Sequence, residues 1–304
     1  MKKRAGQKVR RNHKKGFTFV ELLIAMVIVA IVSGAVIMLG YTYFNHFEQS
    51  NELSMARERG IMVVTYLERR ILNAGLGMPE PGSDFTDAFE GLWGADELEP
   101  YTDSRDWDAP VYMPEIEEDD TSSSDELMIA YAVPSGVFTT VSADIGNSDV
   151  TVDMSGTLDG TKIEDNATVT KGWVVFPSVL TPFRIISATT DEVTIRAARD
   201  YHWYLPANDE LHHVRILRAF VETERFMAQD MTVSGAQPVI EGVLGCRFSY
   251  DDETKVLTVS VLTRGNRSYS RLVSPANITG WGAVDENWRH YYLSVVNKGW
   301  RVRN

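Results

Sequence analysis

From Leu22 to Phe47 the chain runs 26 residues without one Asp, Glu, Lys or Arg. At about 1.5 Å per residue a helix of that length reaches roughly 39 Å, against roughly 30 Å of hydrocarbon in a bilayer. The run therefore predicts a membrane-spanning helix. From residue 48 the pattern changes: Leu53, Ala56, Gly60, Val63, Leu67, Ile71 and Ala74 recur every three or four positions, the period of one apolar helical stripe. Arg57, Glu58, Arg59, Glu68, Arg69 and Arg70 fill the rest, and Gly75, Gly77 and Pro79 end the pattern. One helix from about Phe17 to Ala74 is predicted, lipid-facing in its first half and sheet-facing in its second.

Beyond Asp125 the pattern is that of strands. Short runs rich in Val, Ile, Thr and aromatics, bounded by Gly, Pro, Asp or Asn, occupy 127–133, 137–142, 168–176, 183–188, 192–197 and 214–221. The clearest hairpin sets Cys246, Phe248 and Tyr250 against Leu257, Val259 and Val261 across a turn at 251–254. Residues 264–290 read as an irregular excursion, and 291–296 as a last strand. A helix followed by strands gives an α+β class, with the strands expected in one antiparallel sheet bearing large loop insertions. About 230 residues after the helix suit one elaborated domain.

Charge divides the chain further. Residues 1–16 hold eight Lys or Arg and no acid, so the leader is expected on the cytoplasmic side and the bulk on the far, periplasmic side. Without the leader, 22 basic residues face 42 acidic ones, a net charge of −20. Nucleic acid is an unsuitable partner, since binding the phosphate backbone needs basic neutralisation. Residues 80–126 carry seventeen acids and one base, Arg105. Their Pro and Gly content argues against a continuous helix or strand there, and a loop so long is functional or disordered. Trp93, Tyr101, Trp107 and Tyr112 interleave with the acids, so parts are expected to pack down on the domain.

The junction before the apolar run holds the chain's most specific motif: Lys14-Lys15-Gly16, then Phe17-Thr18-Phe19-Val20-Glu21. A secretory signal is cut after its apolar stretch; here the basic residues and glycine precede it, so the mature chain keeps its anchor. Basic leader, Gly16, aromatic Phe17 and Glu21 as fifth mature residue resemble the signal of type IV prepilins and type II secretion pseudopilins. The resemblance implies a pilin-like fold, cleavage by prepilin peptidase between Gly16 and Phe17, N-methylation of Phe17, and a helix serving first as inner-membrane anchor, then as fibre core beside other minor and major pilins. It also implies that Glu21 sets register by pairing with an amino terminus. A carboxylate in an apolar helix is costly to leave unpaired, and the terminus created at Phe17 would be the nearby cation. Alternatively, Glu21 sits at the membrane interface, where the helix dipole favours an anion.

Leu67 to Gly75, the hairpin ending at Arg264 and the basic tail Arg301 to Asn304 are similar to PilW/PulJ-type minor pilins, which help start pilus assembly. The twenty-second mature residue, where many major pilins carry a kinking proline, is Met38. The expected role is a minor pilin, with a J-type secretion pseudopilin or a pilus-tip binding subunit using the acidic loops as alternatives. The resulting map is leader 1–16, apolar helix 17–47, amphipathic helix 48–78, acidic loop region 79–126 and β-rich domain 127–304.

Little in the chain suggests catalysis. No HExxH, nucleophile elbow, P-loop or dinucleotide fingerprint occurs, and His212 and His213 are expected on opposite faces of a strand. The segment Tyr201-His202-Trp203-Tyr204 is expected to be a packed aromatic loop. No cofactor is expected; a calcium site at Asp103, Asp106 and Asp108 is the only metal candidate, and it lacks EF-hand spacing. Cys246 is the sole cysteine, so no intrachain disulfide can form, and its alternation with Phe248 and Tyr250 predicts a buried position.

Overall fold

The computed structural model describes residues 18–93, 108–113, 125–146, 148–158, 172–197, 202–231, 235–251 and 253–303. Two units are distinguished, residues 1–51 and residues 52–304. Helix α1, Phe19–Leu72, contributes to both. In the first unit its large apolar side chains are exposed, among them Phe19, Leu39 and Tyr41.

In the second unit, α1 turns one face to the core. Ala56, Val63, Leu67 and Ile71 are fully buried, as the sequence period requires. The exception lies at the start of the stripe: Leu53 is 38% exposed and Glu52 only 8%. Gly60 lies in the same face, where a Cβ would stand 2.6 Å from Val296 Cγ2, so glycine permits the close approach. After Leu72 the chain folds back. The Gly75 amide donates to the Ala130 carbonyl and the Ala132 amide to the Asn73 carbonyl. Gly77 has φ +69°, and a Cβ there would lie 2.8 Å from the Phe176 carbonyl oxygen. Both conformation and space thus call for glycine at position 77.

The elements that follow are α2 (Ser83–Trp93), β1 (Val111–Tyr112), β2 (Leu127–Phe138), β3 (Ala143–Ile145), β4 (Val150–Asp153), β5 (Trp173–Phe176), β6 (Val179–Ala188), β7 (Glu192–Ala197) and β8 (Trp203–Leu205). Next come β9 (Glu210–Glu222), β10 (Arg225–Asp230), β11 (Gln237–Glu241), β12 (Val243–Asp251), β13 (Val256–Arg264), β14 (Asn277–Ile278), β15 (Gly282–Ala283), a 3₁₀ helix (Glu286–His290) and β16 (Leu293–Arg301). Every named strand pairing is antiparallel. With the long helix this is an α+β architecture consistent with a pilin-like fold.

The expected single sheet is instead divided. The main sheet runs β1-β2-β9-β5-β6-β7-β4 with β10 and β11 attached through β9, while β12-β13-β16 form a second sheet. The hairpin occupies that second sheet with Cys246 opposite Val261 and Phe248 opposite Val259. The packed half of α1 serves both sheets through one core that includes Val63, Leu67, Leu127, Ile129, Leu217, Phe248 and Val259. On the other face of the main sheet, Met128, Ala130, Ala132, Val214 and Ile216 pack with Phe85 and Ala88 of α2. Covering on both faces explains why β2 begins as an unbroken apolar run rather than alternating. It also amends the acidic stretch: α2 and β1 are ordered elements within it, with Phe85 fully buried and β1 paired to β2.

Candidate processing and assembly site

The site is built on the first turn of α1. Gly16 and Phe17, the residues expected to flank the cut, lie outside the described residues. Just after them, Thr18 and Glu21 grip each other. The Thr18 amide donates to Glu21 Oε2 at 2.9 Å, the Thr18 hydroxyl donates to the same oxygen at 3.0 Å, and the Glu21 amide donates to Thr18 Oγ1 at 3.3 Å. The first backbone bond of the helix follows, from the Leu22 amide to the Thr18 carbonyl at 3.1 Å. This reciprocal arrangement is a capping box, which satisfies amides that a helix start otherwise leaves without partners. The signal for it in the sequence is the T-x-x-E spacing of Thr18 and Glu21 directly before an apolar run.

The geometry changes the account of Glu21. Its carboxylate is partly occupied within its own chain, where the sequence pointed to pairing with an amino terminus or to a place at the membrane interface. Oε2 takes both Thr18 donors, and among the described residues Oε1 accepts no hydrogen bond.

Downstream, the 18-residue window of highest hydropathy in α1 averages 3.0 and has none of its residues buried in the fold. So much exposed apolar surface on one helix marks a membrane or partner-binding element. The helix has no break at Met38; Thr42 donates its hydroxyl to the Met38 carbonyl at 2.9 Å, a local bond compatible with continuous helix.

The remaining candidates stand apart from this site. Asp103 and Asp106 lie outside the described residues, while the Asp108 carbonyl accepts from the Gly82 amide. Among the described residues no group of three or more His, Cys, Asp or Glu is placed to hold a metal ion. His212 and His213 are both buried at adjacent positions of β9. Burial holds the His212 imidazole below its usual pKa, against the opposing pull of Glu210, whose Oε2 lies 3.5 Å from Nε2. Tyr201 lies outside the described residues; His202 is exposed, and Trp203 and Tyr204 form part of β8, which pairs with β3. Cys246 is buried in the core beneath α1, and the surrounding apolar groups raise its thiol pKa strongly.

The model of the prokaryotic N-terminal methylation motif matches residues 11–37. That match supports a type IV pilin-like or pseudopilin-like protein. The matched stretch holds Gly16, Phe17, Thr18 and Glu21 together with the apolar run as far as residue 37. No curated protein and no solved structure matches the chain. The motif implies a prepilin-peptidase substrate, a pilin-type structural protein that assembles with other pilins into pilus-like fibres. Together with the apolar helix, it supports membrane anchoring.

Proposed function

We propose that this chain is a minor pilin of the PilW/PulJ type that helps initiate assembly of a type IV pilus. Prepilin peptidase cuts between Gly16 and Phe17, Phe17 is N-methylated, and the exposed helix leaves the inner membrane to pack beside sister helices. The basic leader lies on the cytoplasmic side and residues 52–304 on the periplasmic side. The carrying observation is the combination of the methylation motif with a helix whose apolar half is bare while its second half is committed to a large folded domain.

Glu21 is the registration residue. Its Oε2 is held by Thr18, which orients the carboxylate and leaves Oε1 for the amino terminus of the adjacent subunit. The capping box thus prepares the acid for that pairing instead of replacing it, and lowers the cost of carrying a carboxylate in an apolar environment. The test is removal of the gene followed by complementation with the native chain, with Gly16→Asp and with Glu21→Val. Surface fibres counted by electron microscopy should disappear on removal, return with the native chain, and fail to return with either variant. Normal fibres without the chain, accompanied by loss of protein secretion, would overturn the pilus role in favour of a secretion pseudopilin.

A further inference from the structure

The sheet β12-β13-β16 ends on a strand whose outer edge pairs with no other strand among the described residues. β16 lies on β13 along its whole length, from Arg301 opposite Val256 to Leu293 opposite Arg264, without a register shift. Two backbone bonds just beyond that ladder fix its phase: the Gly265 amide donates to the Tyr292 carbonyl and the Val302 amide to the Lys255 carbonyl, both at 2.8 Å. Antiparallel partners alternate between bonded and non-bonded pairs, so Ser294, Val296, Lys298 and Trp300 spend their amides and carbonyls on β13. Those of Leu293, Val295, Asn297, Gly299 and Arg301 point away from it. The Leu293 amide finds Ser274 Oγ at 3.2 Å. From Val295 to Arg301, about 20 Å of strand, the outward groups bond to no other described residue.

A bare edge is ordinarily blunted, and the same molecule blunts others. β11, at an edge of the main sheet, carries Pro238 and a bulge against β10, and β4 at another edge is four residues long. β16 has no proline and no bulge, and it carries Gly299 with its backbone groups turned outward. The fold itself does not call for glycine there: its φ is not positive, and a Cβ would meet Val256 Cγ1 at an ordinary 3.5 Å. A glycine inside a strand that its own sheet does not require suits a second backbone laid alongside.

Helix α1 roofs this edge. Gly60 stands against Val296, and the Trp300 indole donates to Glu68 at 3.2 Å. By the helical period Arg57, Ile61 and Val64 lie on the same flank as Glu68, and Ile61 is 46% exposed. Lys298 and Arg301 are exposed, and among the described residues neither has an ion-pair partner. Exposed Arg57 adds to their charge, while Glu68 is engaged by Trp300 and Asp251 by the Glu253 and Thr254 amides of its own turn. The edge is therefore basic in a strongly acidic chain. A second copy paired edge to edge about a two-fold axis would bring Lys298 and Arg301 of both chains into one ladder, and like charges there repel.

We infer that the outer edge of β16 takes an extended, acid-bearing segment of a partner protein as the fourth strand of the second sheet, its backbone bonding Val295 to Arg301, an apolar side chain against Ile61 and carboxylates near Lys298 and Arg301. This surface goes beyond the fibre role and does not depend on it. The test follows amide hydrogen exchange in the full chain, isolated from its native membranes in mild detergent with its bound proteins or purified alone in the same detergent. In the first preparation the Val295, Asn297, Gly299 and Arg301 amides should exchange at least roughly tenfold more slowly than in the second, while those of Val296, Lys298 and Trp300, already bonded to β13, should not change. The photocrosslinker p-benzoylphenylalanine at position 297 identifies the occupant in the membranes, and the captured peptide should come from another protein and carry Asp or Glu. Gly299→Pro removes an outward amide and leaves the β13 ladder its bonds; it should abolish both the protection and the adduct. Lys298→Glu/Arg301→Glu should do the same and keeps the test open if the proline variant fails to fold. Equal exchange of the four outward amides in both preparations overturns the inference, as does an adduct with a second copy of this chain, with a segment that has no acid, or one that survives both variants.

Discussion

Glu52 offers the sharpest test of how the packed half of α1 is fastened. It is a nearly buried acid where the apolar period calls for none, and it accepts two backbone amides from the loop after β13. The surroundings are built around it. Glu52 Oε2 leaves no room for a Cβ on Gly265, the Thr263 hydroxyl donates to the Ala56 carbonyl at 2.5 Å, and Arg59 donates to the Arg264 carbonyl at 2.5 Å. Glu52→Ala removes the acceptor for both amides. A hydrogen bond to a charged group contributes about 1.5–3 kcal/mol, but Asn266 and Arg267 are exposed enough for water to recover part of that. The net loss should be about 2 kcal/mol, or roughly 4–8 °C in Tm for a domain of this size. Glu52→Gln keeps an oxygen acceptor and should lose about 1 kcal/mol. Urea unfolding of the full chain in detergent gives the energies, and hydrogen exchange gives the location: amides 266 and 267 should exchange faster in Glu52→Ala while those of β5 do not change. A loss under 0.5 kcal/mol with unchanged exchange at 266 and 267 would refute the reasoning.

Three further outcomes are expected. Gly60→Ala gains about 1 kcal/mol of helix propensity but meets Val296 Cγ2 at 2.6 Å; overpacking of about 1–3 kcal/mol should dominate, and Gly60→Ala in a Val296→Ala background should recover most of the loss in urea unfolding. Cys246 should resist maleimide in the folded chain and react fully in urea, because its thiol is buried and its pKa raised. His212 is held below its unfolded pKa by burial, so its contribution is full above about pH 6.5 and is lost as pH falls below that value, where the unfolded state takes up the proton first. The urea midpoint should therefore drop between pH 7.5 and 5.5, and His212→Gln should flatten that drop.

The parts of the fold visible in sequence were those set by local period. The stripe from Ala56 to Ile71 is buried as spaced, and the hairpin pairs Cys246 with Val261, because an amphipathic helix and an alternating strand each carry their own signal. Strand β2 was less legible: Pro134 and Gly136 suggested a break, yet the strand runs through them to Phe138. Proline is tolerated there because β1 covers only Met128 and Ile129, leaving Pro134 where β2 has one named partner, β9. Helix α2 was hidden because its apolar face is short, with Phe85 and Ala88 its described buried side chains, amid acids that dominate the composition. The division into two sheets depends on non-local pairing, which no window of sequence contains. At the site, Gly16, Phe17 and Glu21 were legible as a motif. Thr18 was legible in principle, through its spacing to Glu21. Glu52 was not, because a carboxylate on a helix facing two amides 214 and 215 residues away leaves no local trace.

The most direct test of the central claim is mass spectrometry of the native protein, intact and as its N-terminal peptide, from both the membrane fraction and sheared surface fibres. The account predicts a chain that begins at N-methylated Phe17 and is present in the sheared fraction. A chain that retains residues 1–16 and stays wholly in the membrane fraction would contradict it.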